Sequence, residues 1–133
     1  MFKQNLIKVK TDSHKEIIDI TKTVTKELRE SGLKNGLINV FIPHTTACVT
    51  VNENDRKLWK DLMEFINKLV DSNVNYSHQP NADAHILSSL IKATLTIPFI
   101  NGAINLGTYQ KILLIELDGP RTRQINITLL SLD

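Results

Sequence analysis

Residues 46–52 run Thr-Ala-Cys-Val-Thr-Val-Asn, and no other stretch of the chain limits the fold so tightly. Side chains of a strand point alternately to opposite faces. Ala47, Val49 and Val51 therefore face one way, and Thr46, Cys48, Thr50 and Asn52 face the other. One face joins a core, and the other, carrying only small polar groups, suits the wall of a wet cavity. Residues 121–130 repeat the pattern, with Ile125, Ile127 and Leu129 alternating with Gln124, Asn126 and Thr128. A chain with two such segments must bury one face of each in a sheet-based core.

Elsewhere the same period recurs. Residues 4–11, 14–20, 37–43, 94–100 and 104–117 read as strands, the last broken near Gly107, with turns at Lys34-Asn35-Gly36, Asn101-Gly102 and Asp118-Gly119-Pro120. Helical spacing replaces it in three places. Ile20, Val24 and Leu28 recur every fourth residue over 21–31, and Gly32 supplies a left-handed stop. Over 54–70, Leu58, Leu62, Phe65, Ile66 and Leu69 form one apolar stripe, read as core-facing. A short helix follows over 82–92, with Asn81 placed as its N-cap and Asp83 in its first turn. About eight strands and three helices without a βαβ rhythm predict an α+β fold, mostly antiparallel, in one domain spanning 1–133.

The balance of 16 Lys and Arg against 14 Asp and Glu leaves a net charge of +2, with no basic stripe. Only four Phe, two Tyr and one Trp are present to stack on bases, which argues against a nucleic-acid partner. The single cysteine, Cys48, excludes an intramolecular disulfide and points to a reducing compartment. Residues 1–5 have no apolar signal core, and no apolar run reaches membrane-spanning length, so a cytoplasmic protein without a membrane partner is expected.

The candidate chemistry lies in the middle third. His44, His78 and His85 stand among hydroxyls, amides and a carboxylate, whereas His14 has no such company. Imidazole titrates near neutrality and ligates divalent metals, so the three suggest one site, with zinc or magnesium/manganese as a possible divalent metal ion. Each has a structural alternative: His44 could cap its turn, and His85 could be a satisfied helical histidine. On a full helix Asp83 and His85 diverge by about 200° and would not share an ion. Asn52 and Glu53 precede a helix and could simply cap it. Arg121, held on a Gly-Pro turn, could grip phosphate bidentately. Glu116 is a carboxylate in an apolar strand: either an ion pair with an arginine, or an acid, base or metal ligand. Cys48 reads as a small cavity-wall residue, and Trp59 and Tyr76 as packing.

The segments His44-Thr45-Thr46-Ala47 through Asn52-Glu53, then Tyr76-Ser77-His78 with Asn81-Ala82-Asp83-Ala84-His85, stand in a familiar order. Leu106-Gly107-Thr108-Tyr109-Gln110 through Glu116 and Gly119-Pro120-Arg121 complete it. Across nearly its whole length the chain resembles the YjbQ family, described as secondary thiamine-phosphate synthases. The resemblance implies a mostly antiparallel α+β domain, assembly as a homotrimer, and motifs gathered in a cleft. The implied activity joins a pyrimidine diphosphate to a thiazole phosphate, forming thiamine phosphate and releasing pyrophosphate. Tyr109 stands where the family usually has Trp, and the turn between Glu116 and Gly119 is short.

Carried onto this chain, the motifs suggest His44, His78, His85 and Asp83 (or Asn81) as metal ligands, and Thr45, Thr46 and Arg121 as holders of phosphate. His44, Thr45, Thr46, Asn52, Glu53 and Glu116 are the catalytic candidates. Metal-dependent hydrolysis of a small phosphorylated metabolite would use the same groups. Two other readings compete: a trimeric protein that binds a metabolite or metal without turnover, and histidines serving as ties at subunit contacts.

Overall fold

A computed structural model describes residues 1–132. Eight strands and three helices follow in the order β1 (Phe2–Lys10), β2 (Glu16–Asp19), α1 (Thr21–Ser31), β3 (Gly36–Phe41), β4 (Ala47–Asn52), α2 (Arg56–Leu69), α3 (Ala82–Ile91), β5 (Thr94–Ile100), β6 (Ala103–Ile104), β7 (Lys111–Glu116) and β8 (Thr122–Ser131). They build a five-stranded sheet of order β1-β8-β3-β5-β6 and a three-stranded sheet of order β2-β7-β4. Every pairing is antiparallel. The α+β expectation therefore holds.

The two sheets face each other over one core. Ile38, Val40, Ile125, Ile127 and Leu129 from the larger sheet meet Ala47, Val49, Ile112 and Leu114 from the smaller, and α1 adds Val24 and Leu28. Gly32 ends α1 at φ 71°, the left-handed conformation its lack of Cβ allows.

The back of the smaller sheet departs from the sequence reading. Cys48 is fully buried there, in an apolar cluster with Ile66, Leu87 and Ile115, beneath α2 and α3. Cys48 is thus part of no wet wall, because two helices cover it. Burial pushes the Cys48 thiol up to about 12. The stripe on α2 is only partly used: Ile66 is buried, but Phe65 and Leu69 stand more than half exposed, at 62% and 56%.

Three chain crossings between the sheets gather at one end. Residues 11–15 pass from β1 to β2, 42–46 from β3 to β4, and 117–121 from β7 to β8. Hydrogen bonds lace them together: Leu117 N–H donates to Thr46 O at 3.2 Å, Gly119 N–H to His14 O at 2.8 Å, and Thr11 N–H to Arg121 O at 2.9 Å. Gly119 is required by this crowding, since a Cβ there would lie 2.4 Å from Ser13 O. Among the described residues no helix is long and apolar enough to cross a membrane.

Candidate functional site

Two of the crossings, 42–46 and 117–121, border a cleft of about 460 Å³, lined by His44, Thr45, Thr46, Arg121 and Arg123 with apolar Phe41, Ile42, Pro43 and Ala93. Pro43, which has no N–H to give a ladder, follows the end of β3, and Ile42 N–H donates to Ala93 O at 2.7 Å. That bond fixes the segment from which His44 and Thr45 project. None of the lining residues carries a carboxylate.

Beneath the cleft lies a buried ion pair. Glu116 is 0% and Arg123 1% exposed. Arg123 Nε donates to Glu116 Oε1 at 2.9 Å and to Oε2 at 3.0 Å, and Nη2 also donates to Oε2. Nη2 further donates to Thr46 O and Thr46 Oγ1, both at 2.9 Å. Thr11 Oγ1 donates to Glu116 Oε1 at 2.8 Å, and the backbone N–H groups of Leu117 and Asp118 donate to Oε2 at 3.0 and 3.2 Å. Burial alone would raise the Glu116 carboxyl, but Arg123, Thr11 and the Asp118 N–H hold it below its ordinary value. The Glu116 oxygens are committed to Arg123 of β8, to Thr11 and to the 117–118 backbone, and Arg123 in turn ties in the 42–46 crossing through Thr46. The ion-pair alternative describes Glu116, rather than an acid, base or metal ligand.

Arg121 stands half exposed on its turn. Its Nε donates to Asp118 O at 2.9 Å and its Nη2 to Asp118 Oδ2 at 3.0 Å, leaving Nη1 free. Asn81 holds the other side of this arrangement. At the N-cap of α3 it makes no side-chain cap bond, and its Nδ2 instead donates to Asp118 Oδ2 at 2.9 Å. His14, set aside on sequence, also reaches this turn, with Nδ1 3.3 Å from Gly119 O.

His44 is held as a donor. Gln124 N–H donates to His44 Nε2 at 2.8 Å, so the neutral ring carries its hydrogen on Nδ1. Burial and the charge of Arg123 lower its pKa. The one position where the ring could accept a proton or a metal on Nε2 is already taken, which counts against both the catalytic and the metal assignment of His44. Thr46 serves Arg123 through its hydroxyl and carbonyl, while Thr45 is exposed in the cleft.

Two catalytic candidates lie elsewhere. Asn52 closes β4, six residues beyond Thr46 and so about 20 Å along the strand. Asn52 Oδ1 accepts from Glu53 N–H, Glu53 O accepts from Trp59 Nε1, and Asp55 caps α2 by accepting from Lys57 N–H at 2.9 Å. Neither Asn52 nor Glu53 joins the His44 cleft.

The metal assignment does not fit one chain. Asp83 and His85 both lie within α3, where two residues' separation sends their side chains apart. Asp83 Oδ2 is engaged by Lys15 Nζ at 3.1 Å. His78 and His85 do meet, edge to face with ring centroids 4.7 Å apart. Among the described residues, however, no three His, Cys, Asp or Glu side chains gather to hold an ion. Tyr109 is 71% exposed and lines no part of the cleft.

Arg123 was not singled out by its sequence context, although a signal exists. It precedes Ile125, Ile127 and Leu129 at two-residue spacing, so its guanidinium falls where the pattern demands an apolar side chain.

Together these features describe a small α+β sandwich domain with a donor-lined cleft where its sheets exchange strands. The chain belongs to the YjbQ-like UPF0047 protein family, whose model matches residues 5–132. A UPF0047 protein of Archaeoglobus fulgidus is 41% identical over 120 residues, covering 88% of this chain and 93% of that one. Bacillus subtilis YugU is 35% identical over 127 residues, covering 93% and 96%. A crystal structure of a YbjQ-like protein from Sulfolobus solfataricus superposes with a TM-score of 0.96 at 33% identity, covering 98% of each chain.

Proposed function

We propose that the cleft binds a small phosphorylated metabolite and stabilises departing pyrophosphate, as the resemblance to secondary thiamine-phosphate synthases implies. One observation carries this: His44, Thr45, Thr46, Arg121 and Arg123 line the cleft, Arg121 Nη1 and His44 Nδ1–H are uncommitted, and no lining carboxylate opposes an anion. When a pyrimidine diphosphate joins a thiazole phosphate, the bond to pyrophosphate breaks as the new bond forms, and negative charge gathers on the leaving oxygens. Preorganised donors stabilise that charge. The step needs no strong base, which suits a cleft where His44 Nε2 and Glu116 are both committed. The same commitment favours one alternative, binding of the metabolite without turnover, over hydrolysis by an activated water.

The test is pyrophosphate and phosphate release from a panel of phosphorylated substrates by the wild-type protein and Arg121→Met. Release that falls at least tenfold in Arg121→Met supports transfer. Thermal stabilisation by the same compounds without product supports binding alone, and neither response sinks both.

The proposal includes the cytoplasm as compartment and the homotrimer as working unit. Supporting the trimer is the outer face of the five-stranded sheet, where Phe2, Leu6, Leu37, Phe41 and Leu130 stand exposed. Light scattering should return three times 15.1 kDa, and a monomer mass refutes it.

A further inference from the structure

We propose that Asn81, at the start of α3, is a positioning residue for Arg121 and acts on it through Asp118. The inference rests on the anion-binding reading above and adds to that site a part lying outside the cleft, since no residue of α3 lines it. Asn81 occupies the N-cap of α3, and its carbonyl starts the helix by accepting from Ala84 N–H at 3.1 Å and His85 N–H at 3.3 Å. An asparagine so placed ordinarily turns its side-chain oxygen onto the first free N–H groups of the helix. Here it makes no such bond, and Nδ2 donates instead to Asp118 Oδ2 at 2.9 Å. A helix end that forgoes its cap gives up stability, and a local rule broken in this way points to a role elsewhere.

The turn shows what the bond fixes. Its backbone is already held at both ends, with Asp118 N–H donating to Glu116 Oε2 at 3.2 Å and Arg121 N–H to Thr11 Oγ1 at 2.9 Å. The two side chains are the parts left to order. Arg121 is half exposed, and among the described residues Asp118 alone holds its guanidinium, through the carbonyl at 2.9 Å and Oδ2 at 3.0 Å.

Asp118 Oδ2 thus receives Arg121 and Asn81 together. His14 Nδ1 stands 3.9 Å from Oδ1, beyond hydrogen-bond distance. Apart from the arginine's own bond, the Asn81 amide is therefore the one side-chain hydrogen bond on this carboxylate among the described residues. Without it the carboxylate turns more freely and Arg121 with it, so a long, rotamer-rich side chain must be ordered at the moment an anion binds. With it, the arginine that lines the cleft is ordered beforehand.

Calorimetry with inorganic phosphate, at one ionic strength, tests this on the wild-type protein, Asn81→Ser, Arg121→Met and the double variant. Serine caps a helix as well as asparagine does, but its hydroxyl ends one atom short of the amide nitrogen that reaches Asp118, so α3 keeps its start. Asn81→Ser should weaken phosphate binding about fivefold with no fall in Tm, the range expected for ordering one rotamer-rich side chain. In the Arg121→Met background the same change should alter affinity by less than about twofold, because the guanidinium it positions is gone. Equal losses in both backgrounds would make Asn81 merely structural and overturn the inference. So would phosphate binding by Asn81→Ser within about twofold of wild type. No phosphate binding by the wild-type protein overturns the anion reading itself, and this inference with it. Where Arg121→Met binds too weakly to compare, the Arg121 Nε–H order parameter of the anion-free protein decides. It should fall in Asn81→Ser, and an unchanged value overturns the proposal.

Discussion

Replacing Glu116 by Gln tests the buried pair that underlies the cleft. Glutamine matches the shape of glutamate but carries no charge, so Arg123, 1% exposed, is left without its counter-charge. One of the two glutamine amide positions also becomes a donor facing donors from Arg123, Thr11 or the backbone. Breaking a buried ion pair by removing one partner costs about 3–5 kcal/mol. Arg123 borders the cleft, where water offsets part of this, so the lower figure of about 3 kcal/mol applies. For a chain of this length, unfolding entropy near 2.1 cal/mol/K per residue converts that to a fall of roughly 10 °C in Tm. The assay is thermal unfolding followed by circular dichroism at one protein concentration from pH 8 to pH 3. Because the folded carboxyl sits below its ordinary value of 4.5, its contribution is complete above that pH. It is lost as pH falls through the lower folded value. The gap between wild type and Glu116→Gln should therefore hold near 10 °C at pH 7.5 and narrow progressively as pH falls below 4.5. A gap under about 2 °C at pH 7.5, or one unchanged at low pH, refutes the reasoning.

Lys92 adopts φ 93°, ψ 157°, a region populated almost only by glycine, between α3 and the Ala93 segment of the cleft. Its side chain is exposed, so Lys92→Gly should raise stability by about 1 kcal/mol after the entropy of the added glycine is set against the relieved strain. A lower Tm contradicts this. The Cys48 thiol, buried and pushed up to about 12, should resist a thiol reagent at pH 8 in the folded protein and react at once in denaturant. Rapid labelling of the native state would show the helical cover over Cys48 to be wrong.

Where one periodicity governed a segment, the sequence was readable. The alternation at 46–52 and 121–130 located β4 and β8, and the four-residue spacing with Gly32 located α1. Periodicity says which side chains share a face but not what covers it, so Cys48 passed for part of a cavity wall when α2 and α3 close over it. The site was legible in its turns and opaque in its partners. His44, Thr45, Thr46 and Arg121 do line one cleft, because crossings at one end of the sandwich bring residues 42–46 and 117–121 together. Asn52 and Glu53 shared a motif with them yet lie a strand's length away, since sequence proximity along β4 is distance in space. Asn81 looked like a cap because its position is one; its amide serves Asp118, 37 residues on. Arg123 escaped notice because a core-facing strand position conceals an arginine until Glu116 is seen beside it.

A crystal structure of the protein grown with pyrophosphate tests the central claim most directly. The anion should lie in the cleft, within hydrogen-bond distance of Arg121 Nη1, the Thr45 hydroxyl and His44 Nδ1. Pyrophosphate seated instead at the His78–His85 pair, with the cleft holding only water, would contradict it.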